Sequence, residues 1–166
     1  MPEAFNTSYG LKIEIPEIIK EILSFMRAKS GAEYKIIIGS DSELLEDKSA
    51  DFVTAIVIHR VGNGGRYFWR RGKLGKFYNL HDRIVQEVML SLDTAKIFFA
   101  TLKSEVAMQD PEGALKWSFE IHIDAGENGP TKTLIQEVVG MVRASNFEPK
   151  TKPESYAASN VADRYV

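Results

Sequence analysis

Two aspartates at the ends of apolar segments are the residues of this sequence best placed to do chemistry. Asp41 follows the buried-strand pattern at 36–40, and Asp124 closes a second such segment at 119–124. An ionised carboxylate beside a core is costly unless a cation or hydrogen-bond donors compensate its charge, and ligands collect at the carboxyl ends of strands in α/β sheets. If the two strands are parallel neighbours, both acids lie at one edge of the sheet, which indicates a metal site. Alternatively, each acid could hydrogen-bond its own loop or cap the following turn.

Two further acids could join them. Glu87 lies on the flank of the apolar stripe of a long helical pattern, at about 100° per residue, whereas Asp82 falls on its opposite side. Near the C-terminus, Asn160 and Asp163 share one face of an alanine-rich helical pattern at i, i+3. The alternative for each of these acids is an ordinary solvated position on a helix surface.

The chemistry of such a cluster follows from its charges. Four gathered carboxylates, Asp41, Glu87, Asp124 and Asp163, repel one another and require cations. Oxygen ligands without a histidine cluster select Mg²⁺ or Mn²⁺. Two such ions, roughly 4 Å apart, activate water and stabilise the leaving oxygen in phosphodiester hydrolysis. The acids therefore predict a divalent-metal-dependent hydrolase.

A basic segment at 60–76 suggests what the partner is. The segment contains no acid and interleaves aromatic residues with its basic ones, which are Arg60, Arg66, Arg70, Arg71, Lys73 and Lys76. Basic and aromatic side chains together suit phosphate contacts and base stacking. The alternative is an ordinary hairpin with solvated arginines, but one sign of charge in an acidic protein favours a nucleic-acid surface.

The turn beyond Asp124 adds accessory candidates. Lys132 and the exposed amides at the start of the following helix could hold a phosphate, and Glu127 could be an accessory ligand, although a plain strand-to-helix turn explains the same residues. His122 alternates with the core positions of its strand, so we interpret it as a buried, hydrogen-bonded histidine and not as a ligand.

Apolar periodicity predicts the elements that position these side chains. We expect one domain over 1–166 in which 1–10 is a flexible arm, followed by an N-terminal helix and then by the order β-β-β-α-β-α-β-α. A three-strand antiparallel meander followed by alternating elements predicts a mixed α/β sheet with helices on both faces. The segments are helix 16–26, strands 35–40, 52–60 and 66–71, helix 80–102, which Thr94 could interrupt, strand 117–124, helix 132–144, edge strand 147–150 and helix 155–165.

The composition of the chain limits the classes of protein to which it can belong. The 166 residues are 44% apolar and 27% charged, with a formal charge of −2 and a pI of about 6.0, as in an ordinary globular protein without a global basic field. The absence of cysteine excludes disulfides and thiolate metal sites. No secretory signal pattern and no run near the ~20 residues of a bilayer span are present. We therefore expect a cytoplasmic protein without a membrane partner, and the sequence does not predict an oligomeric state.

This order of elements and acids resembles the ribonuclease H-like superfamily, and more narrowly the YkuK-type ribonuclease H-like proteins. The matching motifs are Ile38-Gly39-Ser40-Asp41-Ser42, His59-Arg60, Gly64-Gly65-Arg66, the segment from His122 to Lys132, Val138-Val139-Gly140-Met141-Val142 and the segment from Lys152 to Asp163. The resemblance covers nearly all of 34–166.

The resemblance implies a metal-dependent nuclease acting on RNA or structured nucleic acid. Acids on the first strand, first helix, fourth strand and last helix of that fold correspond to Asp41, Glu87, Asp124 and Asp163. Some ribonuclease H enzymes have a histidine in the loop before the last helix; here Lys152 is the basic residue of that loop (151–155), and we place it with the nucleic-acid contacts. A non-catalytic nucleic-acid-binding module and a small-substrate phosphate-ester hydrolase remain alternatives.

Overall fold

The computed structural model describes residues 1–126 and 128–155. Within these residues the chain forms three α-helices, seven strands and one 3-10 turn. The strands are β1 (Phe5–Thr7), β2 (Lys12–Ile13), β3 (Glu33–Leu44), β4 (Ala50–Arg60), β5 (Gly65–Leu74), β6 (Lys116–His122) and β7 (Glu148–Lys150). The helices are α1 (Ile15–Ala28), α2 (Leu80–Gln109) and α3 (Ile135–Ala144), the last preceded by the 3-10 turn Lys132–Leu134.

All seven strands form one mixed sheet in the order β2-β1-β5-β4-β3-β6-β7. β3, β4 and β5 are the predicted antiparallel meander, and β6 and β7 join as parallel strands. Because β3 pairs with β4 on one side and β6 on the other, it lies inside the sheet. The predicted mixed α/β fold is confirmed.

β3 is longer than its apolar run suggests. It extends from Glu33 to Leu44 because β4 pairs with it along its whole length, up to Leu44 opposite Ala50. The gap between the predicted strands 35–40 and 52–60 is therefore reduced to a short turn, which the amide of Leu45 closes by donating to the carbonyl of Ser49 at 2.8 Å. Asp41 consequently lies within the strand and not beyond its end.

The three described helices pack on one face of the sheet, which we call the helical face. Tyr34, Ile36 and Ile38 alternate along β3 and point to this face, where they join buried residues of all three helices in one core. Within the described residues we find the helices on this face alone. The last helix predicted at 155–165 lies outside the described residues except for Ser155.

Two predictions about local structure are wrong. α2 continues through Thr94, whose buried hydroxyl accepts a hydrogen bond from Arg70 at 2.7 Å, so this polar residue does not interrupt the helix. The N-terminal arm is not loosely held at Phe5–Thr7, which pairs with β5, and Phe5 is fully buried. Three strand residues are too few to give a readable period.

No helix within the described part of the chain combines the length and the apolar character that crossing a membrane requires.

Candidate metal centre

The pairing of β3 with β6 determines where the two aspartates lie. The strands run parallel, and Gly39 is paired with His122 at the end of the ladder. Asp41 lies two residues further along β3, and Asp124 lies two residues beyond the end of β6, so both acids follow this last pair at the same edge of the sheet. Asp41 is almost buried, at 9% exposure, and one of its oxygens accepts the backbone amide of Ser42 at 2.9 Å. The parallel pairing on which the expected site depends is therefore present.

Glu87 enters the same region from α2. It is buried, at 4% exposure, and the hydroxyl of Ser42 donates to its Oε1 at 2.5 Å. Burial raises the pKa of Glu87 well above its ordinary value, and the negative charges of Asp41 and Asp124 raise it further against the opposing hydrogen bond from Ser42. The three carboxylates are thus near enough to interact.

A buried row of hydroxyl groups fixes α2 against the sheet beside these acids. The hydroxyl of Ser40 is 2.8 Å from that of Ser91 on α2 and 2.9 Å from that of Thr54 on β4. Ser40 and Ser42 are two strand residues apart, or about 6.6 Å, while Ser91 and Glu87 are four helix residues apart, or about 6 Å. These matching repeats let two hydrogen bonds join α2 to β3, which holds Glu87 in place.

Sequence reasoning missed this row of hydroxyls. A usable signal was present, since Ser91 follows Glu87 by one helical turn and Ser40 precedes Asp41 in an otherwise apolar strand. Which hydroxyl meets which depends on strand register, however, and the register follows from the whole pairing of β3 and β4.

His122 lies beside the cluster in the role expected from the sequence. It is 3% exposed, and its Nε2 is 3.3 Å from Oε1 of Glu120. Burial lowers its pKa, against the opposing effect of Glu120. Together with Ser91, Glu87 and Asp124 it lines a narrow crevice at this edge of the sheet.

Lys152 reaches the centre from the loop after β7. Its ammonium nitrogen is 2.7 Å from Oδ1 of Asp124. The expectation from sequence was a nucleic-acid contact, whereas the structure brings this lysine onto one of the acids.

The basic residues of β5 divide between the two faces of the sheet. Arg70 points to the helical face, where its guanidinium donates to Thr94 and to the carbonyl of Pro2 and stacks 4.7 Å from the ring of Phe5. These contacts hold the N-terminal segment that contains β1 against the sheet. They argue against the nucleic-acid contact that the sequence predicted for Arg70.

The other predicted contacts are more accessible. Arg71 is 47% exposed and pairs with Asp51 at 2.6 Å, and Lys73 is 56% exposed and lies 3.2 Å from Asp47. Arg66 is exposed at the far end of β5, where its guanidinium lies 4.8 Å from the ring centre of Phe25. Surface pairs of this kind contribute little stability, so these side chains can exchange their partners for phosphates.

The remaining candidates divide between exposed and undescribed positions. Lys132 is exposed on the 3-10 turn that precedes α3. Asp163, Asn160 and Glu127 lie outside the described residues.

The carboxylate oxygens of the described residues are of the type that an oxygen-preferring divalent cation binds. Their arrangement, however, does not form a complete metal-binding site. Asp41, Glu87 and Asp124 offer carboxylate oxygens at one edge, Glu87 from the helical face and Asp41 from the opposite face of β3. Burial is the main cause of the raised pKa of Glu87, and the charges of Asp41 and Asp124 add to it. Nevertheless, no group of three or more acidic or histidine side chains within 1–126 and 128–155 is arranged so that it could hold a metal ion.

Comparison with known proteins identifies the family. A family model described as "Ribonuclease H-like" matches residues 17–166. The chain belongs to the ribonuclease H-like family. It is also 31% identical to the uncharacterised protein YkuK of Bacillus subtilis, over 90% of this chain and 89% of that protein. No solved structure matches at a significant level.

Membership in this ribonuclease H-like family suggests at most a nuclease-type activity on nucleic acid. Proteins of this fold also generally use divalent metals. The relative YkuK is itself uncharacterised, so it adds no substrate and no cofactor. The more specific statements about activity rest on the residues themselves.

Proposed function

We propose that this chain is a Mg²⁺- or Mn²⁺-dependent nuclease that hydrolyses phosphodiester bonds in RNA or a structured nucleic acid. The observation that carries the proposal is that Asp41, two residues past the last β3–β6 pair, and Asp124, two residues past the end of β6, both raise the pKa of buried Glu87. Asp163, which is outside the described residues, would be the fourth ligand. Three interacting carboxylates are unfavourable unless cations offset their charge, and a divalent ion would offset more of it than the single ammonium group of Lys152.

The residues at this edge of the sheet have different proposed roles in metal binding and in positioning the ligands. Asp41, Glu87, Asp124 and Asp163 would hold two divalent ions, which supply water activation and stabilise the leaving oxygen when bound. Ser42 orients Glu87 through its hydroxyl, and the amide of Ser42 fixes one oxygen of Asp41. Asn160, Glu127 and Lys132 are proposed as accessory residues.

A substrate surface lies on the same side of the sheet as Asp41. Register pairs Asp41 with Val53 and Val53 with Arg71, so all three share one face and one level. At about 4.8 Å per strand, Arg71 is about 10 Å from Asp41 across the sheet. Lys73 occupies the same face one pair further along. We propose that Arg71 and Lys73 contact phosphates flanking the cleaved bond, whereas Arg66, which lies over Phe25 of α1, is on the helical face.

The test is cleavage of labelled RNA, DNA and hybrid oligonucleotides in Mg²⁺ or Mn²⁺. Asp41→Asn is expected to lower the rate at least about 100-fold, because a lost catalytic carboxylate removes transition-state charge stabilisation, while circular dichroism and melting remain like wild type. Glu43→Gln is the matched control, since Glu43 lies two residues further along β3 but is exposed. Full activity of Asp41→Asn would refute the mechanism.

The ion pair of Lys152 with Asp124 favours a second candidate, a non-catalytic nucleic-acid-binding module. A site whose acid is neutralised by a side chain has less need of a metal. This alternative predicts salt-sensitive binding through Arg71 and Lys73 that is indifferent to chelators, together with no cleavage by the wild-type chain.

A further inference from the structure

The contact between Lys152 and Asp124 brings a cation of the protein itself to the candidate metal centre. The ammonium nitrogen and the carboxylate oxygen are 2.7 Å apart, and the two side chains are 57% and 24% exposed. A lysine ammonium is a compact point charge on a flexible stem. It can therefore neutralise a carboxylate as an ion would, but it can also leave when an ion arrives.

The backbone around Lys152 is arranged to deliver this side chain. The amide of Ile123 donates to the carbonyl of Lys150 at 2.9 Å, and the amide of Lys152 donates to the carbonyl of Ala125 at 2.8 Å. These two bonds continue the pairing of β6 with β7 past the ends of both strands. Lys152 is consequently held beside the residue that follows Asp124.

Gly126 makes this close approach possible. A Cβ placed at Gly126 would lie 3.1 Å from the Cβ of Lys152, which is closer than ordinary van der Waals contact. On the other side, the carbonyl of Thr151 accepts the amides of Glu154 and Ser155 at 2.8 and 3.0 Å and closes the loop into a turn. The position of Lys152 is therefore determined by the loop and not only by its charge.

We propose that Lys152 is a tethered counter-cation that neutralises Asp124 until a divalent ion displaces its ammonium group. This inference rests on the proposed function for the identity of the ion. Without the lysine, Asp124 would add its full charge to those of Asp41 and Glu87, and repulsion among them would be larger. With the lysine, binding of an ion must first break the ion pair, so Lys152 sets a threshold for metal loading.

The experiment is calorimetric titration of the full chain with Mn²⁺ alone, in low salt and without nucleic acid. Lys152→Gln is expected to bind Mn²⁺ about two- to five-fold more tightly than wild type, the range that an exposed ion pair of this kind supports. Lys152→Arg keeps the positive charge and is expected to bind no more tightly than wild type. Weaker or unchanged binding by Lys152→Gln would overturn the proposal.

Lys150→Gln is the matched control, because it removes the same charge two residues earlier. The ammonium of Lys150 lies 3.9 Å from Glu120 and 3.7 Å from Glu148, which are not among the proposed ligands. Its effect on Mn²⁺ affinity is expected to be smaller than that of Lys152→Gln. An equal gain in both variants would show a general charge effect and would contradict a specific displacement.

Melting provides a second readout. In chelator, Lys152→Gln is expected to melt below wild type, because Asp124 loses its counter-cation; saturating Mn²⁺ should remove this difference. Absence of Mn²⁺ binding by both proteins also overturns the proposal. Tighter binding by Lys152→Gln without any cleavage of nucleic acid would refute the nuclease and leave the tethered cation standing.

Discussion

The two ends of β3 differ in how well their polar side chains are paired with partners of opposite charge or hydrogen-bonding character. At the amino end, the hydroxyl of Tyr34 donates to the carbonyl of Lys29 at 2.7 Å and accepts from Nε of Arg60 at 3.1 Å. The same guanidinium donates to the carbonyl of Phe25 at 3.0 Å and lies 4.0 Å from its ring centre. These bonds satisfy carbonyls in the last turn of α1, which would otherwise lack partners.

At the carboxyl end of β3, three carboxylates are close enough to repel one another. Asp41 and Asp124 act unfavourably on Glu87, and Lys152, on its flexible stem, pairs with Asp124. The interactions at the amino end therefore stabilise the fold, whereas the repulsion between carboxylates at the carboxyl end destabilises it. A buried carboxylate with a perturbed pKa, such as Glu87, is typical of functional sites, which supports the proposed location of the site.

The largest effect on stability is expected at the amino end. Arg60→Ala should lower the free energy of unfolding by about 2 to 3 kcal/mol, because it removes two charge-assisted hydrogen bonds and a cation–π contact. Arg66→Ala is the control, since Arg66 lies over the same ring but is exposed, and it should cost less than about 1 kcal/mol. Urea denaturation measures both values. Equal losses would show that the amino end is not specially stabilised.

The opposite sign is expected at the carboxyl end. In chelator at pH 8, Glu87→Gln should raise the free energy of unfolding by about 1 to 2 kcal/mol, because a buried, poorly compensated charge is replaced by a neutral group of similar shape. Its counterpart is Glu105→Gln on the same helix, where the side chain is more exposed and only a change within about 0.5 kcal/mol is expected.

The pH dependence of that gain follows from the direction of the pKa shift. The pKa of Glu87 is raised on folding, so the folded chain holds the proton more tightly than the unfolded chain. The stability from this proton is complete below the unfolded pKa, near 4.5, and is lost as pH rises through the folded pKa. The advantage of Glu87→Gln over wild type should therefore grow from pH 5 to pH 8; an advantage that is constant with pH would contradict the burial of this charge.

The sequence contained the topology of this site but not its contacts. Apolar runs ending in acids predicted that Asp41 and Asp124 share an edge, because parallel pairing aligns strand ends irrespective of side-chain detail. The pairing of Lys152 with Asp124 depends on a loop that passes close to Gly126, and no local pattern predicts such a path. Hydroxyl partners such as Ser40 and Ser91 likewise depend on register.

The neighbouring residues Arg70 and Arg71 show the same limit. Alternation along a strand requires that they point to opposite faces, and the sequence therefore indicates that only one of them can belong to a given surface. Which of the two faces the helices cover is decided by the packing of α2, through Thr94. Charge and composition alone predicted a nucleic-acid contact for both arginines.

This difference between Arg70 and Arg71 gives the smallest and most specific prediction. Arg71→Gln should weaken nucleic-acid binding about three- to ten-fold and reduce the slope of log K against log salt by about one, as expected for loss of one phosphate contact. Arg70→Gln changes the same charge but should leave that slope unchanged and lower the melting temperature instead, because Arg70 contacts Pro2 and Thr94. Fluorescence anisotropy at several salt concentrations measures the slopes. A reduced slope for Arg70→Gln, with Arg71→Gln unaffected, would place the substrate on the helical face and away from Asp41.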